Sequence, residues 1–305
     1  MSVIWWGLIG LGVVLGSAPM TGGGRQVSSQ RLDGFARRQR LPLPDHLSGA
    51  VARRLMARER SAVRWGVVGL VAGVLLALGI DLAAGIDLGP LALLGGTLGA
   101  SIGGYVGIAS SIPDLDPSTP RVARARSTAV DDYVTGLEVW AGRLVPVVVA
   151  AAAAVAVLVW ALSPLRPDGG AIVPVVVVLA AAAVIGAWAL LRRAGEHVLD
   201  QPQRARDDLG LAWDDVLRTT ALREVQDTKV GIGLAATLGL LAIAGTWVVD
   251  PAVRAEGMDR TLVLGMTLGV TGMVCWALLL VPWGVGRLRR SPSRGLWQDT
   301  ARTGA

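Results

Sequence analysis

The sequence predicts an all-α fold, a polytopic membrane bundle of about seven transmembrane helices with three amphipathic cytoplasmic helices. Seven apolar runs contain no Asp, Glu, Lys, Arg or His. Most of them approach the roughly 20 residues that cross about 30 Å of hydrocarbon. A soluble helical core is the alternative, and several separate charge-free runs of this length disfavour it. The runs cover residues 3–20, 65–80, 88–112, 144–163, 171–191, 230–249 and 261–285.

The basic residues predict how the chain is oriented. The segments 21–64, 113–143, 192–229 and 286–305 carry 26 of the 29 Lys and Arg residues. The positive-inside rule assigns these segments to the cytoplasm. We therefore expect a multi-pass protein of the plasma membrane with its N-terminus outside and its C-terminus in the cytoplasm. Residues 1–20 are predicted to be a retained anchor because no basic residue precedes them, with cleavage as a signal peptide as the alternative.

Composition excludes several classes of function. The net charge of +6 would suit a nucleic-acid partner, but topology and anionic lipid account for the basic flanks, and no nucleic-acid motif accompanies them. Cys275 is the only cysteine, so neither an intrachain disulfide nor a cysteine metal site is expected. No cofactor motif is present. Arginine outnumbers lysine 28 to 1, which with abundant Ala, Val and Gly suggests a GC-rich bacterial genome.

After the anchor, the chain predicts three similar units. Each unit consists of a polar cytoplasmic segment followed by a pair of spans, which occupy residues 65–112, 144–191 and 230–285. The polar segments 113–143 and 192–229 share a short arginine-rich stretch followed by an Asp pair. Internal duplication is a hypothesis that fits this arrangement.

Each cytoplasmic segment is predicted to end in an amphipathic helix. The helix of the second segment would begin near Ala129, where Thr128 and Asp131 resemble a capping box. These helices either lie on the anionic inner leaflet or bind a cytoplasmic or membrane protein. The basic first helix favours lipid, whereas acidic pairs in the other two favour a protein partner. The candidate partner-binding residues are Tyr133, Leu137, Trp140, Leu209, Trp213 and Leu217.

Glycines recur every four residues in the third predicted span. This spacing lets helix backbones approach closely in hydrocarbon, so the span is expected at the packed centre of the bundle. Three shorter pairs would dock onto it, namely Gly12 and Gly16, Gly69 and Gly73, and Gly265 and Gly269. A pore lining or a self-association seam is the functional alternative. The helix-packing residues are Gly95, Gly99, Gly103 and Gly107.

The best catalytic candidates are two Asp pairs, Asp207-Asp208 and Asp214-Asp215. Carboxylates at such spacing could hold magnesium on a diphosphate. The more ordinary interpretation is the solvated face of an amphipathic helix. The spans carry no ionisable group, which disfavours ion-coupled carriers.

These observations predict an integral membrane protein without enzymatic activity. We expect a component that scaffolds or regulates a partner through its cytoplasmic helices. The first alternative is a permease or transporter subunit for a neutral or lipid-like substrate, based on the repeated helix pairs. The second is a metal-dependent membrane enzyme that acts on lipid through the Asp pairs.

Overall fold

A computed structural model describes the helical parts of the chain. Within the described residues the protein is helical, with a short 3₁₀ turn at Val130–Asp132 and no strand. The helices are α1 Ser29–Gln39, α2 Asp45–Ala84, α3 Gly136–Leu162, α4 Ile172–Asp200, α5 Asp208–Val249 and α6 Met258–Leu288. The described residues are 29–39, 41–43, 45–84, 95–96, 98–99, 103, 129–162, 172–200, 208–249 and 258–288.

Four of these helices are long and apolar enough to cross a membrane. They are Gly136–Leu162, Val173–Asp200, Leu209–Gly245 and Leu262–Gly286, and α2 adds a shorter apolar stretch at Val63–Gly79. The structure therefore supports a multi-pass membrane protein with four candidate spans among the described residues. The predicted count of seven is not confirmed. The first predicted span, 3–20, lies outside the described residues, and 88–112 lies mostly outside them.

The predicted amphipathic helices are not separate elements in α2 and α5. In both, the amphipathic part continues into the apolar run as one helix of 40 and 42 residues, respectively. Neither helix contains a proline, so nothing interrupts the backbone hydrogen bonds between the two parts. At about 1.5 Å per residue each helix is about 60 Å long, roughly twice the hydrocarbon thickness.

Helix α3 begins later than the sequence pattern predicts. The helix begins at Gly136 rather than near Ala129. Glu138 at the third helical position accepts hydrogen bonds from the backbone N–H and the hydroxyl of Thr135 at 3.0 and 2.9 Å. This Thr-x-x-Glu capping box satisfies donors that the first helical turn leaves unpaired, so it fixes the start of the helix.

The core lies between α3 and α5. These two helices contact each other along their lengths, and both contact α4 and α6 as well. Small and β-branched side chains such as Val145, Val149, Ala152 and Ala236 are fully buried there. The outer face of α6 is apolar and exposed, as a lipid-facing helix requires. Four helices packed in this way place the start of α3, the end of α4, the first half of α5 and the end of α6 at one end of the bundle.

Candidate functional site

A folded helical unit lies at that end of the bundle, and we call it the polar module. It comprises residues 29–58, 129–143, 192–200 and 208–229, as far as the structure describes them. The first half of α5 runs through its centre. Two hydrophobic clusters pack on opposite faces of that half-helix. The module is therefore organised around the same helix that continues into the core of the bundle.

Trp213 anchors the first cluster. Its side chain is buried against Ala36 and Leu41 from the α1 region and Val51 from α2. The indole N–H donates a hydrogen bond to the carbonyl oxygen of Pro42 at 2.8 Å. Pro42 lies between α1 and α2, and a proline there ends one helix before the next begins. This contact holds the α1–α2 connection against α5.

Tyr133 anchors the second cluster. It packs with Val139 of α3 and Val198 of α4. The hydroxyl of Tyr133 donates a hydrogen bond to Oδ1 of Asp215 at 3.1 Å, and both side chains are completely buried. A buried carboxylate is stabilised by donors that replace lost water, so this pair fixes the 3₁₀ turn onto α5.

Arg218 joins the end of α4 to α5. Its Nε donates to Oδ2 of Asp214 at 2.9 Å. Its Nη1 donates to the carbonyl oxygens of Val198 at 3.4 Å and Leu199 at 3.3 Å. The last carbonyls of a helix have no intrahelical donor and carry partial negative charge, so an arginine there satisfies both needs.

A buried ion pair connects the start of α3 to α5 and α6. The carboxylate of Glu138 lies 3.5 Å from Nε of Arg223, and Glu138 is 1% exposed. Gly286 of α6 packs directly on Glu138, since a Cβ at Gly286 would lie 2.7 Å from Cγ of Glu138. Any larger side chain at position 286 would displace the carboxylate, so three helices meet tightly here.

Two indole groups mark the boundary between the polar module and the apolar bundle. Trp188 of α4 donates from Nε1 to the carbonyl oxygen of Gly142 in α3 at 2.7 Å. Trp283 of α6 donates from Nε1 to Oδ1 of Asp227 in α5 at 2.7 Å. Tryptophans with one apolar and one hydrogen-bonded end are typical of the membrane interface.

The six candidate partner-binding residues fall into different environments. Tyr133 and Trp213 are buried inside the module by the contacts described above. Leu209 and Leu217 are partly buried against the Trp213 cluster, and Leu137 is half-buried. Trp140 is 46% exposed on α3. A partner role for these residues stays a prediction, and Trp140 is the large side chain among them that projects outwards.

The predicted packing glycines lie partly within the described residues. Gly95 and Gly99 lie against Gly69 and Gly73 of α2, so close that a Cβ on Gly69 would lie 2.7 Å from the Cα of Gly99. Such backbone contact is possible only between residues without side chains. Gly103 is buried, and Gly107 lies outside the described residues.

The described Asp pair, Asp214-Asp215, does not form a solvated face. Asp215 is buried under Tyr133, and Asp214 pairs with Arg218. Asp207 lies outside the described residues. In the part of the chain that the structure describes, no three His, Cys, Asp or Glu side chains are placed to hold a metal ion.

Sequence reasoning missed the buried charged residues of the module. The Thr135-x-x-Glu138 spacing is the one local signal that could have identified Glu138 as a capping residue.

Comparison with protein-family models, with curated proteins and with solved structures finds no match. The proposal for its function therefore rests on the contacts within the polar module and on the side chains that the module exposes.

Proposed function

We propose that this protein is a non-catalytic membrane component that presents the polar module to a cytoplasmic protein partner. The observation that carries the proposal is the continuity of α5, one helix that forms the centre of the module and part of the bundle core. A module built on such a helix is fixed relative to the membrane. Asp214 and Asp215 are engaged in contacts within the module, which disfavours the alternative of a metal-dependent enzyme that uses them.

The cytoplasmic placement rests on charge. The polar module lies within the segments that hold most of the basic residues, and the positive-inside rule assigns such segments to the cytoplasm.

The proposed contact surface is centred on Trp140. This side chain is exposed near the start of α3, beside the exposed Arg143 and the half-buried Leu137. Tryptophan and arginine are the residues most enriched among those that dominate binding energy at protein interfaces. Trp65 of α2 provides a matched control because it is also exposed, at 39%, and lies near the start of an apolar stretch.

Affinity purification from native membranes in mild detergent, followed by quantitative mass spectrometry, tests this proposal. A stoichiometric partner should be recovered with the parent protein and with Trp65→Ala. Recovery should fall about tenfold or more with Trp140→Ala, since a central interface tryptophan typically contributes at least about 2 kcal/mol. Membrane insertion and expression should be the same for all three.

Two outcomes would count against the proposal. If both tryptophan variants behave alike, Trp140 is an interfacial anchor in lipid rather than a partner contact. If the parent protein purifies with lipid alone, the transport alternative gains support, and flux of neutral or lipid-like substrates in proteoliposomes would be measured next.

A further inference from the structure

Three cations lie at the same level of the bundle, each next to an apolar run. Arg143 precedes the run 144–163, and Lys229 precedes the run 230–249. Arg192 follows the run 171–191. They belong to α3, α5 and α4, which pack against one another. The three positive charges therefore come from three neighbouring helices at the depth where lipid headgroups begin.

Contacts around Gly142 bring the three cations together. The aliphatic stem of Lys229 lies on Gly142, where a Cβ would be 3.6 Å from its Cδ. The carbonyl of Gly142 accepts the indole N–H of Trp188, one helical turn before Arg192. Lys229 interacts electrostatically with Arg192 and Arg143, and also with Glu196. The cations thus form one cluster between α3, α4 and α5.

Lys229 is the member of the cluster that a bound anion would stabilise most, because its side chain is largely buried. It is the only lysine in the sequence and is 7% exposed. No hydrogen bond or salt bridge joins its ammonium to another residue that the structure describes. Glu196, the acid in this cluster, pairs at 3.0 Å with Nε of Arg192. The cluster carries three positive charges and one carboxylate, so a bound anion would lower its net positive charge and stabilise the largely buried Lys229 side chain.

We propose that Arg143, Arg192 and Lys229 form a binding site for the phosphate group of an anionic membrane lipid. Arg143 and Arg192 are exposed at the rim, so a headgroup can reach them from the side, while Lys229 lies deeper. Val147 is exposed one helical turn after Arg143, on the same face of α3, and offers an apolar surface for an acyl chain. Basic pockets between transmembrane helices at the cytoplasmic side recognise such headgroups.

The test uses purified full-length protein in mild detergent. Phosphatidylglycerol, phosphatidylcholine and inorganic phosphate are added separately, and bound lipid is counted by native mass spectrometry. Reductive methylation of Lys229 provides a second readout, because peptide mapping separates the single lysine amine from the N-terminal amine. The variants are Lys229→Met and Arg143→Gln. Arg53→Gln is the control, since Arg53 is exposed on α2 away from the cluster.

Phosphatidylglycerol should bind the parent protein and Arg53→Gln and should slow methylation of Lys229. Lys229→Met should weaken this binding about tenfold or more, and Arg143→Gln should weaken it less, because its exposed guanidinium is better hydrated. If inorganic phosphate slows the methylation of Lys229 as much as phosphatidylglycerol does, the ligand is a soluble phosphate compound and not a lipid. The site is refuted if lipid counts are the same for the parent protein and Lys229→Met, or if phosphatidylcholine binds equally well. Arg143→Gln keeps the test valid should Lys229→Met fail to fold.

Discussion

The ion pair between Glu138 and Arg223 predicts a specific energetic coupling between α3 and α5. Two unit charges 3.5 Å apart attract by about 5 kcal/mol at an effective dielectric constant of about 20. The side chains are only 1% and 17% exposed, so water replaces little of a lost partner. Glu138→Gln keeps the volume and the capping function, and Arg223→Met keeps the length of the side chain. We expect each single variant to lose about 3 kcal/mol of unfolding free energy, because removing one member leaves the other charge buried.

The double variant distinguishes this reasoning from a simple loss of packing. With both charges removed, neither is left buried without its counter-charge, so the double variant should be more stable than the sum of the single losses predicts. We expect a coupling energy of about 2 kcal/mol. Unfolding in detergent by titration with sodium dodecyl sulfate, followed by tryptophan fluorescence, measures all four proteins. Losses that add within about 0.5 kcal/mol would refute the ion pair as an energetic link.

Two further predictions test the contacts of α2 and of the connection that precedes it. Gly99→Ala should reduce the yield of folded protein, since its Cβ would lie 2.8 Å from the Cα of Gly69. Gly79→Ala is the control and should leave the yield unchanged, because no atom lies within 4 Å of a Cβ at that position. Equal yields of the two variants would contradict the proposed glycine packing. Trp213→Phe should cost about 1 kcal/mol by removing the hydrogen bond to Pro42. It should also speed hydrogen exchange in α1, and an unchanged exchange rate would show that the indole does not hold the α1–α2 connection.

The charge-free runs of the sequence predict much of the membrane part of the fold. Each of the runs 144–163, 171–191, 230–249 and 261–285 overlaps a helix that is long and apolar enough to span a membrane. This success has a local cause, because a lipid-facing helix must be apolar along its own sequence. The helix boundaries are harder to predict, because more than one local capping pattern can start a helix. The start of α3 depends on a cap at Thr135, which competes with an equally plausible pattern seven residues earlier.

The polar module could not be predicted because its contacts are not local. When α5 is considered alone, its charge pattern predicts a solvated face for Asp215. Its partner Tyr133 lies 82 positions earlier in the chain. Arg223 likewise pairs with a residue of α3, and Arg218 reaches the end of α4. Burial of these charges depends on which helices meet, and helical periodicity carries no information about that.

The continuity of α5 has a consequence for how the module can respond to a partner. The same helix supplies Asp215 and Arg223 to the module and Ala236 and Leu240 to the core of the bundle. No proline interrupts it, and the helix is continuous from Asp208 to Val249. If this helix stays straight, a displacement of the module also tilts the apolar part of α5. We therefore expect binding at the module to be coupled to the arrangement of the bundle helices through α5, with the Glu138–Arg223 pair as one of the contacts that link α3 to it.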